Sequence, residues 1–511
     1  MVLHDLFFYA ITFFVSLLVL VLVLFRTNFG RRRYKLPPSP ISLPIIGHLH
    51  LIGTFPYKSF QKLSSRYGPL FHLRLGSVPC IVASSPEIVK ELLLNNEKSF
   101  LTHPVTIAIH NISYGSSGFA FGPYDPIQKY MKKLSMSHLL TGNALVQLQP
   151  IREDEIQRFV RFLIDMSNAG RIVNLSEEFM KLSNNIVTRM MLSMRYSGKK
   201  DQAVEILKLT REVTKIYGES NLSDIFGFLR VFDFQGFLKR SNDIQRRYHA
   251  LLEKIMAERE KIREMKKEKT THDSDGVGDF LDILLDALAD EKSEIKITRD
   301  NIMASVLDLI TASSDTSASA VEWALAELIN HPNIFKKARE EINSVVGKTR
   351  LVEESDLPNL PYLQAIFKEA LRLHPPVPLL IRESTQDCKV GGYDIPAKTR
   401  LFVNLWSMSR DPKIWKDPLE FKPERFMIIS KLSIDQGEYL PFGTGRRGCP
   451  GKLLAQLEVT TILAAMIQCF DWKVVGNDSM VDMTERFGLT VPKAHPLMLV
   501  PVTFFDPFNF N

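Results

Sequence analysis

Cysteine is scarce in this chain: 511 residues contain four, Cys80, Cys388, Cys449 and Cys469. None has the close paired spacing of a zinc site, and no disulfide framework can be drawn from them. The globular part therefore suits a reducing, cytosol-facing compartment. Internal repeats and low-complexity segments are absent. So is any compact basic stripe interleaved with aromatics, which argues against a nucleic-acid-binding surface. The net charge of +7 is mild and fits an acidic protein partner or an anionic membrane. With 45% hydrophobic and 24% charged residues the chain is globular. Its length exceeds what one ordinary core serves, so two domains or one large cofactor-centred domain are expected.

Charge is missing from Leu6 to Phe25, a run of twenty residues. As a helix it spans roughly 30 Å, the thickness of bilayer hydrocarbon. No basic residue precedes the run and no small-residue cleavage site closes it, so an anchor is expected over a cleaved signal peptide. Arg26, Arg31, Arg32, Arg33 and Lys35 follow, and the positive-inside tendency places the rest of the chain in the cytosol. Pro37, Pro38, Pro40 and Pro44 then make a stiff link.

One stretch organises the remainder: Pro441 to Gly451, which reads PFGTGRRGCPG. Its glycines permit tight bends and close approach to a flat ligand. Arg446 and Arg447 are expected to favour the thiolate of Cys449, and the helix start after Gly451 adds N–H groups near the sulfur. A single cysteine ligand suits haem iron better than zinc, which wants three or four protein ligands.

Upstream, Pro69 to Val82 alternates like a hairpin around Gly76-Ser77, and Pro86 opens a short helix. Phe100 to Tyr124 lacks periodicity and reads as loop. Lys129 to Leu140 reads as a basic amphipathic helix. Val173 to Ser197 and Ala203 to Ser220 are expected to be helical. Asp224 to Phe237 is rich in phenylalanine, suited to an access channel, the membrane surface or plain packing. A charged helix over Leu251 to Lys269 runs into a polar break from Thr270 to Gly278. Thr298 is a good N-cap for a run over Asp300 to Asn330 that has no Pro or Gly. Such a helix is about 45 Å long and stops at His331-Pro332. Asp315 and Thr316 put a carboxylate and a hydroxyl into its middle, beside the small residues Ala312, Ser313 and Ser314. Pro361 to Leu373 is a helix in which Glu369 and Arg372 share a face. Arg400 to Trp406 reads as a strand, and Phe487 to Val502 as a closing hairpin.

Phe442, Gly445, Arg447, Cys449 and Gly451 match F-x-x-G-x-R-x-C-x-G, which resembles the haem-thiolate loop of the cytochrome P450 family. Glu369-x-x-Arg372 and Pro423-Glu424-Arg425-Phe426 resemble that family's bracing motifs, and Ala312 to Ser317 its acid–alcohol segment. The resemblance implies a mainly α fold with small β sheets, built as one haem-centred domain over 48–511, behind a membrane anchor at 1–26 and a basic, proline-rich hinge at 27–47. It implies haem b bound through Cys449 as the metal ligand, with Phe442, Gly451, Arg447, Arg382, Lys132 and Gln128 at the cofactor. Glu369, Arg372 and Arg425 would brace the cysteine loop, while Asp315 and Thr316 would deliver protons during dioxygen activation. Ile109, Phe119, Ala312, Val377, Ile381 and Leu489 are the implied pocket residues. Electrons would come from NADPH through a reductase docked on the basic helix, and the site would be the cytosolic side of the endoplasmic reticulum membrane.

Three positions depart from the family pattern: Gln128 stands where tryptophan is usual, Ser313 where glycine is, and His103 where arginine is frequent. Stretches such as Arg211 to Lys215 and Gly392 to Pro396 resemble one plant branch, which contains flavone synthase II, isoflavone synthase, dihydroxypterocarpan hydroxylase and an oleanane-triterpene hydroxylase. A monooxygenase that hydroxylates or desaturates a flavonoid is the expectation. A triterpenoid hydroxylase, a catalytically weak haem-binding membrane protein and a reductase-independent haem-thiolate isomerase are the competing readings.

Overall fold

The computed structural model describes residues 2–28, 34–195, 202–268, 278–429, 438–476 and 480–509. Arg31, Arg32 and Arg33, and the polar break from Thr270 up to Gly278, lie outside the described residues. Helices dominate. The strands are β1 (Leu70–Leu75), β2 (Val78–Ala83), β3 (Val173–Asn174), β4 (Leu379–Glu383), β5 (Cys388–Val390), β6 (Tyr393–Ile395), β7 (Arg400–Asn404), β8 (Phe470–Val474) and β9 (Met498–Thr503).

The expected first hairpin is present. Phe71 and Leu73 point inward with no exposure, His72 and Arg74 face the other side, and Gly76 turns the chain at φ +57°. β1 and β2 pair antiparallel, β2 pairs parallel with β7, and β7 pairs antiparallel with β4. The sheet order is therefore β1-β2-β7-β4. β7 ends at Asn404, because the Asn404 side chain caps a short helix, Leu405–Met408.

Several expectations need correction. The stretch from Phe100 to Tyr124 is not all loop: Thr106 caps a helix, Ile107–Ile112. Val173 and Asn174 are strand, and the helix begins at Leu175. The charged helix starts earlier than expected, spanning Phe237–Glu268. Phe487 to Val502 is no simple hairpin. Only Met498–Thr503 is strand, and it pairs with β8 and β3 rather than with the residues just before it. The earlier part is an irregular strap closed by a bridge between Glu485 and Lys493.

The centre of the molecule is the helix Arg299–Asn330. Thr298 and Asn301 form a reciprocal capping box at its start. Its sides are covered by helices Leu175–Leu192, Pro361–Leu373 and Lys452–Cys469. A helix with this much small and apolar surface must be enclosed on most faces. Every residue from Asn301 to Leu328 is buried except Ala312, Ser313, Asp315 and Thr316.

Candidate active site

The cysteine loop is shaped by its glycines. Gly443 and Gly445 adopt φ of +66° and +72°, in the left-handed region. A Cβ on Gly445 would lie 2.6 Å from Glu97 Oε1. The Cys449 amide donates to the Phe442 carbonyl at 2.9 Å, folding the loop back on itself. Gly451 is the N-cap residue of the helix Lys452–Cys469, and its backbone N–H favours the charged form of the Cys449 sulfur. Cys449 is exposed, yet surrounding protein raises its thiol pKa above the usual value. The charges that favour the thiolate are Lys132 and Lys452. Arg446 and Arg447, expected in that role, act elsewhere: Arg446 pairs with Glu97 at 3.2 Å, and Arg447 is turned onto carbonyls.

Behind the loop lies a buried charge network. Arg372 Nε and Arg425 Nε donate to Glu369 at 2.7 and 2.9 Å. The Lys422 amide adds a bond at 2.8 Å. Arg372 also reaches the carbonyls of Ser409 and Pro418 at 2.5 and 2.7 Å. Glu369 and Arg372 have no exposure at all. A pair buried this fully serves geometry more than stability.

On the other side of the loop, cations gather without acids. Arg447 donates to the carbonyls of Leu101 and Phe119 at 2.8 and 3.0 Å and to that of Gly122 at 2.5 Å. Arg382 donates to the Arg447 carbonyl at 3.1 Å and to Nδ1 of His103 at 3.3 Å. Lys132 donates to the Arg446 carbonyl at 2.7 Å. Among the described residues none of the three forms an ion pair with a carboxylate. Burial, then Arg447, lowers the Arg382 guanidinium to about 9. Burial and the two arginines push His103 well down, so it accepts as a neutral ring. Partly buried cations without counterions suit a dianionic ligand edge, and the propionates of haem have that character. The donor set therefore fits haem: one cysteine sulfur, a glycine-bent loop and a cationic rim without ion-paired carboxylates among the described residues.

Gln128 is buried and donates through Nε2 to the Phe119 carbonyl at 3.0 Å, while its Oε1 has no partner among the described residues. Its described bond is to the backbone. Ser313 and Thr316 bond back to their own helix, at Leu309 and Ala312, both at 2.6 Å. Asp315 does not pair with Thr316. Its carboxylate accepts from Thr490, and burial raises its pKa above the usual carboxylate range. Ala312 is exposed at the centre of an otherwise enclosed helix, like Cys449 in its loop.

The expected pocket residues divide. Val377 is 37% exposed, and Ile109, Ile381 and Leu489 are half-buried. Phe119 packs into the main core at 5% exposure, and its carbonyl is what matters locally. Two residues escaped the sequence reading. Asp308 is buried and accepts from the Ala120 amide at 2.9 Å, and Thr490 holds Asp315. Neither lies in a motif, and their partners are 188 and 175 positions away.

Residues 37–500 match the family model described as Cytochrome P450. Cytochrome P450 93B2 of Gerbera hybrida is 52% identical over 96% of each chain. The 3,9-dihydroxypterocarpan 6A-monooxygenase of Glycine max is 46% identical over 97% of each. Beta-amyrin 24-hydroxylase of Glycine max is 42% identical over 98% of each. Among solved structures, a zebra fish cytochrome P450 with progesterone superposes with a TM-score of 0.74 at 26% identity, covering 88% of this chain and 100% of that one. This chain belongs to the cytochrome P450 family and is a monooxygenase that uses haem iron and electrons passed from NADPH by a reductase.

Proposed function

We propose that the enzyme oxidises a plant flavonoid, by hydroxylation or desaturation. The pterocarpan-oxidising relative, similar along 97% of both chains, carries this reading. Cys449 would bind the haem iron through its sulfur. Phe442 and Gly451 shape its loop, and Arg382, Arg447 and Lys132 would hold the propionates, with Gln128 behind them. Glu369, Arg372 and Arg425 brace the loop from the rear. Bound haem would supply dioxygen activation: in hydroxylation one oxygen atom goes to substrate and the other to water, and in desaturation both leave as water. The chain's own part is placement and proton supply. Asp315 and Thr316 stand where the central helix opens and pass protons inward. Ile109, Ala312, Val377, Ile381 and Leu489 present an apolar wall to a flat phenolic substrate.

Residues 1–26 anchor the chain in the endoplasmic reticulum membrane, 27–47 form the hinge, and 48–511 form the cytosolic catalytic domain. The helix Val2–Asn28 supports this, with Phe7 to Val19 apolar and largely exposed. Exposed Phe228, Phe232 and Phe234 offer a second lipid-facing patch.

Expression in yeast microsomes with a plant reductase tests the proposal. The reduced-CO difference spectrum should show thiolate ligation and lose it in Cys449→Ala, and flavanones should give a type I shift and oxidised product. A type I shift with a triterpene and none with flavanones would favour the second reading, a triterpenoid hydroxylase. The relative that hydroxylates beta-amyrin, 42% identical, motivates that arm. A correct CO band without turnover on either class would indicate the weak haem-binding protein suggested by Gln128, Ser313 and His103.

A further inference from the structure

We infer that Thr490 is the positioning residue for Asp315, linking the proton-supplying carboxylate to the strap that carries the pocket residue Leu489. The inference rests on the monooxygenase reading of the site.

The strap is held independently of Thr490. The Val491 amide donates to the Pro376 carbonyl at 3.0 Å. Trp323 Nε1, two turns along the central helix from Asp315, donates to the Val491 carbonyl at 2.8 Å. The Arg486 amide donates to the Pro492 carbonyl at 2.9 Å. A Cβ on Gly218 would lie 2.3 Å from the Leu489 amide nitrogen, so helix Gln202–Gly218 presses on the same segment. These contacts seat Thr490 at 4% exposure, with its hydroxyl donating to one Asp315 oxygen. The strap does not need that bond to stay in place. The carboxylate does: Thr490 is its only hydrogen-bond partner among the described residues, and Thr316 is turned to the Ala312 carbonyl instead.

Thr490 thus fixes one oxygen of Asp315 and leaves the other for the opening at Ala312 to Thr316. Leu489 is adjacent in sequence, so a substrate that moves the strap also moves the donor. Proton supply and substrate occupancy are then read by one backbone segment. A fixed donor–acceptor pair of this kind sets the direction of a proton-transfer group as well as its basicity.

The test uses full-length holoenzyme in lipid nanodiscs with reductase, comparing Thr490→Val, Thr490→Ser and Asp315→Ala. Hydrogen peroxide released per NADPH consumed should rise about fivefold in Thr490→Val, the factor corresponding to one net hydrogen bond. Thr490→Ser, which keeps the donor, should stay near wild type. Thermal midpoints of Thr490→Val, Asp315→Ala and the double variant should be non-additive, because the residues share one bond. Additive midpoints would overturn the inference. So would coupled midpoints with an unchanged peroxide fraction, since the bond would then serve packing alone. A wild-type preparation lacking the thiolate-type CO band would sink the functional reading instead, and the thermal cycle would still report on the bond.

Discussion

Arg372 is fully buried with every described donor engaged: two bonds to Glu369, and others to Ser409, Pro418 and Glu420. Arg372→Ala leaves Glu369 buried and half-compensated, a loss of about 3–5 kcal/mol. The expected outcome is little or no haem-loaded protein, measured as CO-difference absorbance per milligram of membrane protein. Asp308 gives a pH effect. Burial raises its carboxyl to about 7, against about 3.9 in an unfolded chain. The native state therefore holds a proton that the unfolded state releases, and stability falls as pH rises between those values. Glu458, also raised to about 7 by burial, acts with the same sign. Asp308→Asn should flatten part of that slope in thermal melts taken from pH 4 to 7. At this scale the sequence was informative where chemistry sits inside a motif, as with Cys449, Glu369 and Arg372. It was silent on Asp308 and Thr490, whose significance exists only through partners far away in the chain.

Among the elements, the central helix was legible from end to end because Thr298 starts it, Pro332 stops it, and no Pro or Gly interrupts it. Thr298→Ala removes the capping box and should lower stability by about 1 kcal/mol, visible as a lower thermal midpoint with an unchanged CO band. The helix Ile107–Ile112 was not legible, since the stretch around it has no period; the segment after it reads as loop and is irregular, held by the helix it covers. A Cβ on Gly118 would lie 2.1 Å from Asp308 Oδ2 and 3.2 Å from the Ala304 carbonyl. Gly118→Ala should therefore push this segment off the helix, weakening the substrate-induced spectral shift more than it weakens haem binding. The carboxyl-terminal strap was misread for a related reason. Phe487 to Val502 reads as a local hairpin, but β9 finds its partners at Val173–Asn174 and Phe470–Val474.

The outside of the whole molecule carries two apolar features, the helix Val2–Asn28 and a phenylalanine pair. Phe232 and Phe234 stack with centroids 5.4 Å apart on the outside, and the loop bearing them is tied to the first sheet by Ser77 Oγ donating to the Ile225 carbonyl at 2.6 Å. A chain lacking residues 1–26 should still sediment with liposomes, and Phe232→Ser with Phe234→Ser should release it into the supernatant. Release without those changes would count against the patch. Sheet topology has a consequence for synthesis. β2 lies against β7, with Cys80 opposite Arg400, and β9 closes a sheet begun at Val173. Neither sheet can be finished while the ribosome still holds the carboxyl-terminal third, so the nascent chain must wait with unpaired strand edges. A stop codon just before Met498, which removes β9, should therefore send the product to degradation, even though Cys449 and the other residues proposed to hold the cofactor have already been made.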